Sequence, residues 1–309
     1  MKIIITGALG HIGSRAIREL PLVFPSAEVV MVDNLLTQRY FSLFNLPKEG
    51  IYQFYEADIL TTDLEPIFNG ADLVLHLAAI TDATNSFQNK EKVETANYEG
   101  TIKVAEACLQ IGCPMIHLSS TSVYGTQKEV VSENCSAEDL NPQSPYAETK
   151  LKEENYLREL GSRESFRFVI FRFGTICGTS PGMRFHTAVN KFCWQAVLGQ
   201  PLTVWTTAKN QKRPYLALSD AIGAIVYFIK NNLYDQETYN VLSDNLTVDT
   251  IIEIIRQSVP SIQVQNVDSE IMNQLSYEVS TNKVIQKGFK FSGNIRENIF
   301  ETIRLFRLG

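Results

Sequence analysis

Two side chains that can move a proton lie four residues apart in the segment YAETK, at 146–150. Residues spaced by four on a helix share a face, so Tyr146 and Lys150 are expected to lie side by side. A free tyrosine has a pKa of about 10 and is a poor base at neutral pH. A lysine ammonium beside it stabilises the phenolate and makes it usable as a general base. An isolated pair of this kind also occurs on the surface of ordinary amphipathic helices, so the surrounding sequence must show whether this pair is catalytic.

Three glycines spaced by three supply part of that context, in the segment ITGALGHIG at 5–13. They follow a short apolar run and precede a helical pattern. Gly7 permits a tight turn, Gly10 lets the backbone touch a ligand, and Gly13 allows a helix to pack closely on a strand. The helix start then offers free N–H groups to a pyrophosphate. The pattern predicts a dinucleotide site, although three glycines alone also occur in turns without a ligand.

Asp33 strengthens the dinucleotide interpretation. It closes a second apolar strand, 20 residues after Gly13. An acid at that place can accept hydrogen bonds from the ribose hydroxyls of NAD and would repel the 2′-phosphate of NADP. No arginine adjoins it in VDN at 32–34, and Arg39 is the nearest. The sequence therefore favours NAD, the alternative being that Asp33 is an ordinary turn residue.

The elements that position these residues alternate between strands and helices in the first half of the chain. Apolar runs predict strands at 2–6, 28–33, 51–58, 71–79, 114–120 and 166–173. Helical spacing occupies 11–20, 92–112 and 144–160, the last with Ser144 as cap and Gly161 as its end. Alternation of this kind predicts an α/β fold, a Rossmann-type doubly wound parallel sheet.

The rhythm changes after residue 175. Shorter strands and helices follow, which indicates a smaller α/β lobe. We expect a nucleotide-binding domain over 1–175 and, over 176–309, mainly a substrate-binding lobe that is partly interleaved with the first. Segment 186–199 is expected to be helical, as are 247–259 and 295–307.

Composition limits the classes of partner. The 309 residues carry a net charge of −6 without a basic block, which argues against nucleic acid and anionic membranes. Five cysteines form no Cys-x-x-Cys pair, and the four histidines do not cluster, so neither a disulfide framework nor a metal site is expected. No stretch is long and apolar enough for a signal or a membrane span. A soluble, cytoplasmic protein is expected.

Several further segments carry a resemblance to a known family. The chain resembles the extended short-chain dehydrogenase/reductase family, in particular its NAD-dependent nucleotide-sugar epimerase/dehydratase group. The resemblance covers nearly the whole chain. It rests on the glycine-rich segment and on HLAA at 76–79, NYEGT at 97–101, SSTSVYG at 119–125, YAETK at 146–150 and RPYLALSDAIGAI at 213–225.

The resemblance implies roles for individual residues. Ser120 ends the fifth strand, four residues before Tyr124, and would join Tyr146 and Lys150 as the third catalytic residue. Residues implied to bind NAD are Gly7, Gly10, His11, Ile12, Gly13, Asp33, Asn34, Asp58, Ile59, Leu77, Ala78, Ala79, Asn97, Tyr146 and Lys150. Residues implied to bind a nucleotide-sugar substrate are Thr121, Thr175, Asn190 and Arg213.

The two residues directly after Ser120 indicate the type of reaction. Dehydratases of the group resemble one another in an acidic pair there, and decarboxylating relatives have a glutamate, whereas this chain has Thr121 and Ser122. A dehydratase needs a positioned acid to expel a hydroxyl. The sequence therefore favours a 4-epimerase that acts through a transient 4-keto intermediate. Thr175, where galactose-type epimerases have asparagine, and Pro214, where the family often has aspartate, indicate a different substrate pocket.

Three alternatives remain open. One is an NAD(P)-dependent keto-sugar reductase, and another is a dehydrogenase acting on a small hydroxy compound. A non-catalytic NAD-sensing module ranks last, because the chain keeps the tyrosine–lysine pair. The resemblance also implies a homodimer formed by the helices at 92–112 and 145–160, with Val104 and Leu157 among their exposed apolar residues.

Overall fold

A seven-stranded parallel sheet forms the centre of the protein. The structure is a computed structural model, and it describes residues 1–83, 85–125, 129–206, 209–268 and 276–307. With strands numbered in chain order, the sheet has the order β11–β7–β5–β4–β1–β2–β3. Its strands are β1 (Lys2–Thr6), β2 (Glu28–Asp33), β3 (Ile51–Glu56), β4 (Leu73–His76), β5 (Met115–Ser120), β7 (Phe168–Phe173) and β11 (Thr238–Val241).

Three small sheets accompany the large one. A three-stranded sheet has the order β12–β10–β8, and two pairs join β13 to β9 and β14 to β6. Their strands are β6 (Val130–Val131), β8 (Thr175–Cys177), β9 (Leu202–Trp205), β10 (Lys212–Ala217), β12 (Asp244–Thr247), β13 (Val264–Val267) and β14 (Glu278–Val279). Strand β11 comes from the second half of the chain but pairs with β7 of the large sheet, so the two halves interleave.

Helices cover both faces of the large sheet and pack on the small sheets. They are α1 (His11–Val23), α2 (Glu65–Phe68), α3 (Lys90–Glu94), α4 (Gly100–Ile111), α5 (Pro145–Glu164), α6 (Ala188–Val197), α7 (Leu218–Lys230), α8 (Val248–Ser258), α9 (Asn282–Gln286) and α10 (Ile295–Arg307). Among the described residues, no helix is long and apolar enough to cross a membrane.

Alternation along the strands explains why the sheet is buried on both faces. Successive side chains of a strand point to opposite faces. In β1, Ile3 and Ile5 pack into one core and Ile4 into the other, all three fully buried. The nearly continuous apolar runs seen in the sequence are therefore those of a parallel sheet covered by helices on each side.

Two helices differ from the sequence prediction. Gly161 does not end α5, which begins at the predicted Ser144 cap but runs on to Glu164. Gly161 instead lies against the Phe168 ring, where a Cβ would sit only 2.7 Å from the ring carbon Cε1. The predicted helix at 92–112 is not one regular α-helix, because a π-helical turn over Thr95–Glu99 separates α3 from α4.

The expectation that Val104 and Leu157 are exposed is wrong. Both are fully buried in the core between the sheet and the helices α4 and α5. No large exposed apolar side chain occurs within 92–112 or 145–160, both of which the structure describes completely. The homodimer stays a prediction, which light scattering can check. The two apolar side chains assigned to its interface are buried in the subunit and are not available for it.

Candidate active site

A cavity of about 510 Å³ opens at the carboxyl ends of the central strands. Strand order reverses between β1 and β4, and in open parallel sheets ligands bind at such a switch point. Residues of the large sheet form one side, and the chain that follows β7 contributes Thr175, Arg184, Lys191 and Arg213 to the other. Of the residues predicted for the site, those that line the cavity are Gly7, Gly10, His11, Ile12, Gly13, Leu77, Ala78, Ala79, Ser120, Thr121, Tyr146, Lys150, Thr175 and Arg213.

The glycine-rich loop has the geometry that the sequence predicts. Gly7 has φ of +65°, a left-handed conformation that favours glycine. A Cβ at Gly13 would lie 2.4 Å from the Gly7 carbonyl oxygen, so only glycine permits this approach of helix to turn. Helix α1 starts at His11, directly behind Gly10, and the residues of its first turn that line the cavity are His11, Ile12 and Gly13. The first N–H groups of a helix have no partner within the helix. These residues fit the pyrophosphate of a dinucleotide.

Asp33 is held firmly at the end of β2. Its Oδ2 accepts a hydrogen bond from the Leu9 N–H (3.0 Å) and its Oδ1 one from the Leu35 N–H (2.9 Å). Arg39 lines the cavity beside Gly10, close enough to Asp33 for their opposite charges to attract. A carboxylate has about four acceptor sites, so Asp33 can still accept ribose hydroxyls.

Four other residues predicted for the cofactor are, like Asp33, not among the residues that line the cavity. Asn34 donates through Nδ2 to Asp58 Oδ2 (3.0 Å), and Ile59 is buried against Gly100. Asn97 is buried and braces the chain after β4, because its amide both accepts from the Ile80 N–H (2.7 Å) and donates to the Ile80 carbonyl (2.9 Å).

Asn190 has a different place from the one predicted. Its side chain is fully buried and lies outside the cavity lining. It accepts a long hydrogen bond from the Gly178 N–H (3.4 Å) and donates to the Arg184 carbonyl (3.0 Å). Asn190 thus holds the segment 178–184 in shape, and the sequence alone could not distinguish this from a contact to the nucleotide.

The segment 178–184 lies directly on the glycine-rich loop. A Cβ at Gly182 would be 2.2 Å from the Leu9 carbonyl oxygen. His11 donates from Nε2 to the Gly178 carbonyl (2.8 Å), and burial, followed by the nearby Arg184, lowers the pKa of His11 to about 3. A neutral histidine therefore sits at the start of α1.

The three predicted catalytic residues converge on this cavity. Tyr146 and Lys150 share a face of α5, and the Lys150 ammonium lies 6.0 Å from the centre of the Tyr146 ring. Ser120 ends β5 and accepts two hydrogen bonds at Oγ, from the Ser122 N–H (3.1 Å) and the Ser122 hydroxyl (2.9 Å). Because its acceptor capacity is filled, the Ser120 hydroxyl is left to donate its proton.

The substrate side of the cavity contains the remaining predicted residues. Thr175 lies on β8 beside Tyr215 of β10, and Thr121 is buried, with its hydroxyl donating to the Phe173 carbonyl (3.3 Å). The Arg213 guanidinium lies 5.8 Å from the centre of the Tyr277 ring and donates to Gln211 Oε1 (2.6 Å).

Sequence reasoning missed two groups at the site. Arg184 lines the cavity, donates from Nη1 to Thr81 Oγ1 (2.7 Å), and has a buried Nε without a hydrogen-bond partner among the described residues. Nothing local in the sequence marks it, because it reaches the cavity through the fold of its loop. Glu153 contacts Lys150, and its position three residues after Lys150 on one helix was a usable signal.

A family model described as the NAD dependent epimerase/dehydratase family matches residues 3–241. The chain belongs to the NAD-dependent epimerase/dehydratase family. It is an NAD-dependent enzyme of the extended short-chain dehydrogenase/reductase type, as the resemblance implied. The family membership therefore supports nucleotide-sugar epimerase/dehydratase activity at this cavity.

Individual relatives agree with this assignment. A Bacillus subtilis (strain 168) protein named as an uncharacterized UDP-glucose epimerase is 32% identical over 250 residues, covering 78% of this chain and 76% of the relative. A trifunctional UDP-glucose 4,6-dehydratase/UDP-4-keto-6-deoxy-D-glucose 3,5-epimerase/UDP-4-keto-L-rhamnose-reductase from Arabidopsis thaliana is 27% identical, covering 98% of this chain but 46% of its own length.

A solved structure supports the fold and the cofactor. The UDP-glucuronic acid 4-epimerase of Bacillus cereus, in complex with UDP-glucuronic acid and NAD, aligns with a TM-score of 0.86 at 26% identity. The alignment covers 99% of this chain and all of that one (100%). The Rossmann-type fold predicted from the sequence is confirmed. NAD as the cofactor is confirmed by the NAD-dependent family to which the chain belongs. Among the described residues, no group of histidine, cysteine and acidic side chains is arranged to hold a metal.

Proposed function

We propose that the protein is a nucleotide-sugar 4-epimerase that acts through a transient 4-keto sugar. The observation that carries this proposal is the convergence of Tyr146, Lys150 and Ser120 on one cavity whose positions 121 and 122 hold hydroxyls and no acid. Asp82 also lines the cavity, but Asn85 holds both of its carboxylate oxygens. An epimerase needs a base and no additional acid to expel a hydroxyl.

The chain's own residues supply the proton chemistry. NAD, held by the glycine-rich loop and Asp33, supplies a hydride acceptor and donor when it is bound. Tyr146 takes the proton from the C4 hydroxyl of the sugar and later returns it to the 4-keto oxygen. Lys150 stabilises the phenolate, and Ser120 donates its hydroxyl proton to the same sugar oxygen. Because proton and hydride both return, no net oxidation occurs.

The second lobe would hold the nucleotide diphosphate. Arg184, Lys191 and Arg213 all line the cavity, and guanidinium groups bind phosphate oxygens in a bidentate manner. The names of two relatives point to UDP-glucose and UDP-glucuronic acid as the first sugars to test. We also propose that the protein is cytoplasmic, because nucleotide sugars are available in that compartment.

A time-resolved proton NMR assay tests the proposal. Protein with NAD is mixed in turn with UDP-, GDP-, CDP- and dTDP-sugars, and the anomeric signals and C4 ring couplings are followed. We expect a new sugar with the inverted C4 coupling and no accumulation of NADH. Accumulating NADH, or turnover of 4-keto sugars only, would favour the dehydrogenase or reductase alternative.

The variant Tyr146→Phe tests the assigned base. We expect turnover to fall by about 10²–10⁴-fold, the usual contribution of a general acid–base group, with NAD binding retained by calorimetry. Tyr156→Phe is the matched control, since Tyr156 lies on the same helix and contacts Glu106 on the outer side. Turnover in Tyr146→Phe equal to that of the control would remove Tyr146 from the mechanism.

A further inference from the structure

The ammonium of Lys150 has a buried partner that the mechanism above does not use. Its Nζ lies 2.8 Å from Glu153 Oε2, and His117 Nε2 lies 3.0 Å from the same oxygen. The three side chains are at most 5% exposed. Glu153 Oε1 has no hydrogen-bond partner among the described residues. A carboxylate enclosed in this way carries its full charge next to the lysine, with little solvent to screen it.

A buried carboxylate opposes what Lys150 does for Tyr146. The ammonium stabilises the phenolate because their charges are opposite, and a second negative charge bound to the same ammonium weakens that stabilisation. The three groups are consecutive along one face of α5, with Lys150 between the phenol and the carboxylate. Glu153 and the phenolate thus compete for one positive charge.

The remaining groups around this set do not cancel the effect. His117 on β5 and His76 on β4 are buried, and burial lowers the pKa of each, so both stay neutral. Glu154 points to Arg172, which neutralises it. On the cavity side, Arg184 lies near Tyr146 and adds a positive charge that does not contact Glu153.

We propose that Glu153 is a positioning residue that acts on Tyr146 through Lys150. It fixes the ammonium in place and offsets part of its charge, so that this ammonium stabilises the Tyr146 phenolate less than an uncompensated lysine would. The use of this arrangement rests on the proposed function. A 4-epimerase needs the same phenol first as base and then as acid, and a group does both best when it ionises near the working pH.

The test is the pH titration of the Tyr146 phenolate in the NAD complex, without sugar. Ultraviolet difference absorbance reports phenolate, and subtraction of the Tyr146→Phe protein isolates this residue from the other tyrosines. In Glu153→Gln we expect the ionisation midpoint to move down by about one pH unit, the effect of removing one charge roughly 10 Å away at an effective dielectric constant of about 20. The control is Glu148→Gln, an exposed glutamate of the same helix that pairs with Lys90, for which no shift is expected.

A midpoint that is unchanged or raised in Glu153→Gln would overturn the proposal. If Glu153→Gln does not fold, Glu153→Asp keeps the charge but withdraws it from Lys150, and a smaller downward shift is expected. An unchanged or raised midpoint in Glu153→Asp would likewise contradict the proposal. The titration uses no sugar, so it is independent of the NMR assay. A lowered midpoint in Glu153→Gln, together with no epimerisation of any sugar in the NMR assay, would disprove the proposed function but support the role of Glu153.

Discussion

Two neighbouring glutamates of helix α5 occupy different kinds of buried site. Glu153 belongs to what we call the Lys150 cluster (Lys150, Glu153, His117), and Glu154 to the Arg172 cluster (Glu154, Arg172, Ser119, Tyr124, Asn240). Both carboxylates are fully buried. Consecutive helix positions diverge by about 100° around the axis, so adjacent residues enter different surroundings.

The two carboxylates differ in how completely they are satisfied. Glu154 accepts from Arg172 Nε (2.9 Å), Arg172 Nη2 (2.6 Å), Ser119 Oγ (2.6 Å) and Arg158 Nη2 (2.8 Å). Glu153 has both of its close partners on Oε2, the Lys150 ammonium at 2.8 Å and His117 Nε2 at 3.0 Å, whereas its Oε1 has no hydrogen-bond partner among the described residues.

Under the proposed function, the difference is that between a cluster that only stabilises the fold and a cluster that also acts on the reacting phenol. Burial raises the pKa of both carboxyls, but Arg172 outweighs it for Glu154, and Lys150 with His117 outweighs it for Glu153, whose pKa falls to about 2. Both are therefore charged at neutral pH. The Glu154 carboxylate has hydrogen-bond partners on both oxygens and links β5, β7 and α5. The Glu153 carboxylate, next to the cavity-lining Lys150, has an oxygen without a partner among the described residues, and incompletely paired buried charges of this kind are typical of functional sites.

Lys150→Met should have the largest effect, on turnover and stability together. We expect turnover to fall by about 10²–10³-fold through loss of phenolate stabilisation. The free energy of unfolding should also fall by about 3 kcal/mol, because Glu153 is left buried and uncompensated. Sugar NMR and urea unfolding measure the two effects.

The double variant Lys150→Met, Glu153→Gln separates these effects. Most of the stability should return, since no buried charge remains, while turnover stays low. Recovery of turnover in the double variant would mean that Lys150 acts only by neutralising Glu153, and the distinction between the clusters would fail.

Arg172→Met should affect stability alone. It leaves Glu154 with Arg158 and Ser119 only, and breaking a buried pair costs about 3–5 kcal/mol. Turnover per folded molecule should stay within about threefold of the unchanged protein, because nothing at the cavity is removed. Chemical unfolding measures the loss of stability, and an active-fraction assay at low temperature measures turnover per folded molecule. A loss of turnover as large as that of Lys150→Met would show that the two clusters are not functionally distinct.

The sequence predicts the local parts of the molecule well. Gly7 and Gly13 were identifiable because tight turns and close backbone contacts leave no room for a side chain. The strand that ends at Asp33 and the helix that carries Tyr146 follow from hydrophobic runs and from the Ser144 cap.

Contacts between distant segments were beyond prediction. The pairing of β11 with β7, the contact of His117 with Glu153 and the burial of Asn190 all depend on how separate elements meet. Gly161 shows the limit most clearly. Its helix-ending tendency is local, whereas its packing on Phe168 is tertiary and prevails.

Tyr124→Phe should have the smallest effect and provides the finest test of the comparison. The Tyr124 hydroxyl donates to Asn240 Oδ1 (2.9 Å) and accepts from Arg172 Nη1 (2.9 Å), and burial raises the pKa of the phenol, so it stays neutral. Removing it leaves two buried partners unpaired, at a cost of about 1–2 kcal/mol of unfolding free energy. Turnover and the Tyr146 phenolate titration should not change. A shift of the Tyr146 midpoint in Tyr124→Phe would show that the Arg172 cluster reaches the reacting phenol, and the division between the two clusters would have to be abandoned.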